Sequence, residues 1–358
     1  MTRPKGPIKV LIVDDSALMR QMLTEMLSSD PEIEVVGAAP HPLIARTMIK
    51  ELLPDVLTLD IEMPQMDGLS FLEKIMTLRP MPVVMVSSLT QSGADATMRA
   101  LEIGAVDFVS KPVSGLSTGM AALRDELIGK LKAAATARLR GGGMRLATKL
   151  PASGSWGGGF RSSEKVIAIG ASTGGVEALR ELICSLPPDG PAVLVTQHMP
   201  AQFTASFANR LDGLAAVAVS EARDGVRVLP GHVYIAPGNF HLELKRSGAD
   251  YLCSVADGPL VSGHRPSVDV LFESVARVAG ENAVGVILTG MGRDGAKGLL
   301  AMRGAGAMTI GEDATTCVVY GMPRAAHEVG ATQIELPLHK IPAEILSHCR
   351  MTGHAQRI

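Results

Sequence analysis

Asp14 and Asp15 close one short aliphatic run of the chain, Asp60 closes a second, Ser87 and Ser88 a third, and Lys111 follows a fourth. Three carboxylates brought to one place repel each other unless a hard divalent cation such as Mg2+ neutralises them. An ammonium and a hydroxyl beside that centre suit the oxygens of a transferred phosphoryl group. Taken singly, each residue is equally at home as a solvated strand end or turn. Their joint placement at four successive strand ends points to a metal-assisted phosphoryl site.

A second group lies further on. Gly170-Ala171-Ser172-Thr173-Gly174 fits G-x-S-x-G, in which small neighbours let a strand turn sharply into a helix and expose the serine hydroxyl. Three uses compete for it: Ser172 or Thr173 caps the helix, the turn cradles a nucleotide phosphate, or Ser172 is a nucleophile. A nucleophilic serine needs a base and a group to orient that base. His198, after AVLVTQ, and Asp294, in TGMGRDGAKG after AVGVILTG, reach the same sheet edge as Ser172 if these strands are parallel. On its own His198 also suits a packed or solvated strand end, and Asp294 an Asp-Gly turn. The order Ser, His, Asp differs from the Ser, Asp, His order of α/β-hydrolases, for which His327 with Asp294 is the other choice. Geometry, rather than chain order, defines a triad.

These residues meet only if the intervening elements build parallel sheets. Val10 to Val13, Val56 to Leu59, Val83 to Val86 and Val106 to Val109 read as buried strands. Ala17 to Leu27, Pro42 to Leu52, Leu69 to Leu78 and Ala94 to Ile103 alternate with them at helical spacing, which predicts a doubly wound parallel sheet. One helix is expected from about Met120 to Leu139. The Gly/Ser-dense stretch that follows reads as a flexible linker. Strand and helix patterns resume at Val166, with RVLPGHVYIAP and FHLELKR alternating like antiparallel strands. The expectation is a domain at 1–125, a linker at 126–163, and at 164–350 a second α/β domain with a mostly parallel sheet and a β-hairpin insertion.

With 358 residues the chain has room for two cores. Lys plus Arg number 34 against 36 Asp plus Glu, so the formal charge is −2, which argues against nucleic acid and anionic membranes as partners. No basic recognition helix closes the chain, and aromatic residues are only 3%, too few for base-stacking platforms. Cys184, Cys253, Cys317 and Cys349 show no metal-ligand spacing and read as free thiols of a reducing compartment. No apolar run approaches the ~18 residues of a membrane span and no signal-peptide cleavage site follows the first run, so a cytoplasmic location without membrane insertion is expected.

VDDS, LDIEMPQMDG, VSS and SKP together resemble the response-regulator receiver domain, over residues 8–125. The resemblance implies that Asp60 is the phosphoacceptor, that Asp14 and Asp15 hold Mg2+ with it, that Ser87 and Lys111 bind the phosphoryl group, and that Phe108 is the aromatic switch residue. IGASTGG, TQHMP, HRPSVDVLF, LTGMGRDGAKG and VVYGMPRAA resemble the catalytic domain of the chemotaxis protein-glutamate methylesterases, over 164 to about 350. That resemblance implies Ser172 as nucleophile, His198 as general base and acid, and Asp294 as the group orienting it. Thr173 and Met291 would lie around the reacting carbonyl, with no metal at that site. Glu312 stands where the family more usually has Gln. The implied function is phosphorylation-activated hydrolysis of γ-glutamyl methyl esters, with deamidation of glutamines, on methyl-accepting chemoreceptors. A chemotaxis histidine kinase would be the phosphodonor, and the unphosphorylated receiver is expected to inhibit the esterase. The rival reading is a response regulator whose output domain only binds a protein partner.

Overall fold

The computed structural model describes residues 6–63, 66–88, 90–111, 117–138 and 165–349. The chain divides into two units, Met1–Met144 and Arg145–Ile358. Residues 139–164, which hold most of the expected linker, lie outside the described residues.

The first unit alternates strand and helix: β1 (Ile8–Val13), α1 (Ala17–Ser28), β2 (Ile33–Ala39), α2 (Pro42–Leu52), β3 (Val56–Asp60), α3 (Gly68–Leu78), β4 (Val83–Ser87), α4 (Gln91–Ile103), β5 (Asp107–Ser110) and α5 (Ser117–Ala135). The sheet order is β2-β1-β3-β4-β5, parallel throughout. β3 and β4 are buried along their whole length, because helices cover both faces of the sheet. Side chains close the first turns of the helices: Ser16 accepts from Met19 N–H at 3.3 Å, Asp67 from Ser70 N–H at 2.7 Å, and Thr90 from Gly93 N–H at 3.0 Å.

Two features depart from the sequence reading. The five-stranded sheet contains β2, IEVVGAA, an edge strand that is only partly buried and so lacks a continuous aliphatic run. At Gly37 a Cβ would stand 2.7 Å from Met48 Cε of α2, so the strand packs closely on that helix. α5 covers most of the helix expected from about Met120 to Leu139, so it is the boundary at 125, and not that helix, that the structure moves: residues 126–135 are helical. Leu127, Leu131 and Ala134 recur on its buried face, and Lys132 Nζ reaches Asp30 Oδ2 at 2.8 Å and Glu32 Oε2 at 2.7 Å. Helical spacing of apolar residues inside an alanine-rich stretch was the available signal.

The second unit contains β6 (Val166–Ala171), α6 (Gly175–Ile183), β7 (Ala192–Gln197), α7 (Ala201–Asp212), β8 (Ala218–Glu221), β9 (His232–Ile235), β10 (His241–Ser247) and β11 (Asp250–Ala256). α8 (Val268–Val278), β12 (Ala283–Ile287), α9 (Ala296–Gly304), β13 (Met308–Glu312), α10 (Met322–Glu328), β14 (Ile334–Leu336) and α11 (Ile341–Cys349) follow. Seven strands form one parallel sheet in the order β14-β13-β12-β6-β7-β9-β8. HVYI, expected in an antiparallel pair, is instead β9 and lies parallel between β7 and β8. The antiparallel hairpin is β10 with β11, HLELKRS against DYLCSVA. Leu242, Leu244 and Cys253 of the hairpin join Leu271, Phe272 and Val275 of α8 in the core.

Candidate functional site

In the first unit the sheet delivers Asp14, Asp60, Ser87 and Lys111 from the ends of β1, β3, β4 and β5. One carboxylate oxygen from each of Asp14, Asp15 and Asp60 lies within 4.8 Å of the others. Asp14 and Asp60 are buried and Asp15 is exposed. Lys111 Nζ stands 2.7 Å from Asp60 Oδ2 and 3.1 Å from Asp14 Oδ2. Burial pushes the Asp60 carboxyl up to about 6, against the hydrogen bond and charge of Lys111, and the like charge of Asp14 adds to the rise. Three carboxylates against one ammonium leave two negative charges over a set of hard oxygens, which fits a divalent cation such as Mg2+.

Ser87 and Phe108 need a closer description. The Ser87 hydroxyl is buried and turned toward α4, where it accepts from Thr97 Oγ1 at 2.8 Å and lies 3.3 Å from Gly93 O. Its backbone carbonyl accepts from Lys111 N–H at 2.7 Å, which ties the ends of β4 and β5 together. Phe108 is buried in β5, with Lys130 Nζ 5.1 Å from its ring centre and donating to its carbonyl at 2.6 Å. Lys130 itself pairs with Asp107 and Glu126, an arrangement the sequence reading did not find.

In the second unit Ser172 follows β6 and His198 follows β7, neighbouring strands. Ser172 N–H donates to Thr289 O at 3.0 Å, and Ser172 O accepts from Gly175 N–H at 2.7 Å and Gln197 Nε2 at 2.9 Å. These bonds fix the turn from three sides. Neither Ser172 nor Thr173 caps α6: the N-cap position is Gly174, in the left-handed region at φ 77°, with no side-chain cap bond. A Cβ on Gly290 would stand 2.8 Å from Ser172 Cβ and 2.4 Å from Met322 Sδ, so the loop after β12 can approach the serine only as glycine.

His198 Nε2 and Asp294 Oδ2 are 2.8 Å apart. Asp294 is nearly inaccessible and takes three further hydrogen bonds, from Ser267 Oγ at 2.8 Å, Val268 N–H at 2.7 Å and Asp269 N–H at 3.2 Å. Burial alone would raise its pKa, but the hydrogen bond and charge of His198, with the Val268 and Ser267 donors, hold the carboxyl below the usual carboxylate range. Nε2 as donor to a carboxylate leaves the lone pair on Nδ1, and Nδ1 is buried with no hydrogen-bond partner. In the tautomer that donates Nε2–H to Asp294, the proton-accepting nitrogen is Nδ1, on the side of the ring away from the carboxylate. His264 stacks on it, ring centres 3.7 Å apart and planes 11° apart.

His327 occupies a different place. It lies on α10, well exposed, with Nδ1 2.8 Å from Glu335 Oε2. Asp294 thus holds His198, and the other order of partners is not the one this fold assembles. Thr173 is buried, with its carbonyl accepting from Thr289 Oγ1 at 3.0 Å, and Met291 is half-buried in the loop after β12. Glu312 is fully buried and accepts from Thr289 N–H at 2.8 Å, beneath the Ser172 turn. Sequence reasoning missed Ser267. It sits at the N-cap position of α8, where a serine ordinarily caps its own helix, but its hydroxyl goes to Asp294.

Fold and site define a two-unit α/β protein, with a receiver-type acidic pocket in one unit and a Ser/His/Asp cluster at the carboxyl ends of a parallel sheet in the other. Sequence-family models agree: the response regulator receiver domain matches residues 10–123, and CheB methylesterase matches 167–345. The chain is 54% identical to protein-glutamate methylesterase/protein-glutamine glutaminase 2 of Cupriavidus pinatubonensis, over 98% of this chain and 99% of that one. It is 56% identical to the enzyme of that type from Thiobacillus denitrificans, over 98% of each. The catalytic domain of Thermotoga maritima CheB methylesterase superposes with a TM-score of 0.51 at 41% identity, over 52% of this chain and 98% of that one. This chain belongs to the family of receiver-linked protein-glutamate methylesterase/protein-glutamine glutaminases. Among the described residues no helix is long and apolar enough to cross a membrane.

Proposed function

We propose that this chain hydrolyses γ-glutamyl methyl esters, and the corresponding glutamine amides, on chemoreceptors, with Ser172 as nucleophile, His198 as base and Asp294 as the orienting carboxylate. The reading rests on one observation above all: the 2.8 Å contact of His198 Nε2 with Asp294, which leaves a buried, unpartnered Nδ1 at the strand end beside Ser172. Nδ1 takes the hydroxyl proton as Ser172 Oγ attacks the ester carbonyl. The imidazolium so formed is stabilised by Asp294, whose own proton affinity is low. Backbone N–H groups about Thr173 and Met291 serve the oxyanion. Collapse of the tetrahedral intermediate returns the proton from His198 to the departing methoxy oxygen, giving methanol, or to the departing amide nitrogen, giving ammonia, and leaves a seryl ester. Water activated by the same nitrogen then releases glutamate and free serine.

The receiver unit sets when this happens. Asp60 takes a phosphoryl group from a chemotaxis histidine kinase, with Lys111 neutralising charge on the acyl phosphate and Ser87 reaching it once its hydroxyl leaves Thr97. Asp14, Asp15 and Asp60 would hold a Mg2+ ion, which would supply charge neutralisation for that transfer. The proposed boundaries are a receiver of 1–138, a linker of 139–164 and a catalytic unit of 165–350, acting in the cytoplasm.

Release of methanol from methylated receptor membranes, with and without a phosphodonor, tests the reading. Activity in the wild type and none in Ser172→Ala is expected. An output unit that only binds protein would release none and would leave Ser172 unlabelled by an organofluorophosphonate.

A further inference from the structure

His241 is the buried imidazole for which the proposed mechanism has no use, and both of its nitrogens are engaged. Nε2 lies 2.9 Å from Pro259 O, and Nδ1 accepts from Ser267 N–H at 3.2 Å. A carbonyl requires a donor and an N–H an acceptor, so the ring is neutral with its proton on Nε2. The two contacts grip both ends of the loop from Pro259 to Ser267. That loop carries His264, which lies flat on His198 at 3.7 Å, and it ends in Ser267, whose hydroxyl donates to Asp294 Oδ1 at 2.8 Å. The next two residues add Val268 N–H at 2.7 Å and Asp269 N–H at 3.2 Å to the same carboxylate. Gly258 closes over the ring, where a Cβ would stand 3.2 Å from His241 Cδ2.

We infer that His241 is a positioning residue of the esterase: by holding Ser267 N–H it fixes the Ser267 hydroxyl on Asp294, and through Asp294 it fixes the ring of His198. One hydrogen bond to Asp294 leaves the His198 ring free to tilt. Donors on both Asp294 oxygens and a flat neighbour on the imidazole remove that freedom; Ser267 and His264 belong to the segment His241 clamps at its two ends, and Val268 and Asp269 follow directly on it. The inference rests on the Ser172, His198 and Asp294 reading.

Two polar variants of full-length protein separate the two grips. Asn in place of His241 sets an amide oxygen near the Nδ1 position and keeps an acceptor for Ser267 N–H. Gln sets its amide near the Nε2 position, keeps the donor for Pro259 O and loses the acceptor. His241→Asn should stay within about threefold of wild-type kcat, and His241→Gln should lose about tenfold or more, the scale of one hydrogen bond. KM for methylated receptor should move less than twofold in both. The labelling rate of Ser172 by an organofluorophosphonate, per folded molecule, should follow kcat. A purely structural role would lower the melting temperature and the labelled fraction without changing the rate per labelled site. Equal loss in Asn and Gln, a reversed order, or wild-type rates in both would overturn the inference. If either variant lacks a cooperative melt, Ser267→Ala replaces it and should lower kcat about tenfold at unchanged KM; wild-type kcat there would end the relay. Ser172→Ala as control keeps the readings apart: full activity in it defeats the triad, whereas its inactivity beside a normal His241→Gln defeats only the role of His241.

Discussion

Ser172, His198 and Asp294 carry unequal shares of the proposed chemistry, and loss of each is expected to show it. Ser172→Ala and His198→Ala should each lower kcat by roughly a millionfold, and Asp294→Asn by roughly ten-thousandfold, because an unoriented imidazole still accepts a proton. Circular dichroism should show all three folded, and His327→Ala should keep wild-type methanol release. Asp60 offers a test by stability. Its folded pKa, about 6, lies above the 3.8 of a free carboxyl, so keeping it charged opposes folding above pH 6, and the penalty vanishes as pH falls below about 4. Asp60→Asn should therefore stabilise the first unit by roughly 3 kcal/mol at pH 7.5 without Mg2+, with the gain shrinking toward pH 4. Urea melts at the two pH values measure it. Mg2+ should raise the wild-type midpoint more than that of the variant, and acetyl phosphate should modify the wild type at Asp60 alone. These residues were legible because each ends an aliphatic run or lies in the loop that follows one, and carries a reactive group. Ser267 and His241 were not, since a serine before a helix reads as a cap and a histidine in a strand has no periodicity to betray its partners.

Strands with continuous branched aliphatic runs, such as β6 and β12, were readable because both faces of a parallel sheet are buried. β2 was not, because an edge strand needs only one good face, and Gly37 to Ala39 make room for α2 with small side chains. β9 was misread in orientation: HVYI looks the same whichever way its neighbour runs, and only the crossover through β8 decides. α5 offers a test at this scale. Leu131 is fully buried in it, so Leu131→Ala should cost the first unit about 2–5 kcal/mol, read as a lower urea midpoint. The turn after β12 offers another. Gly290→Ala drives a methyl against Ser172 Cβ and should lower methanol release more than tenfold while the unit stays folded. Wild-type activity in that variant would mean that Ser172 has more room than the 2.8 Å approach allows.

For the molecule as a whole the change of composition after α5 was the legible feature, and the helix end was not, because alanine-rich sequence carries little contrast between face and face. The regulatory expectation belongs here. A chain of residues 161–358 should hydrolyse receptor esters faster than the unphosphorylated full-length protein, and a phosphodonor should narrow or reverse the difference. Equal rates for the fragment and the unphosphorylated chain would remove inhibition by the receiver from the account.

The parallel order of the second sheet also fixes when a catalyst can come into being. β6 is flanked by β7 and by β12, and His198 reaches its carboxylate across 96 residues of sequence. At ~5–20 residues per second, a ribosome needs roughly 5–20 s to deliver that stretch after His198 has emerged. Throughout the interval the acidic pocket of the first unit already has every residue it needs, while β6 still lacks its neighbour β12 and His198 lacks the carboxylate that orients it. Birth order thus places the receptacle for the signal ahead of the activity it governs, and a nascent chain released before Asp294 is a receiver without an esterase.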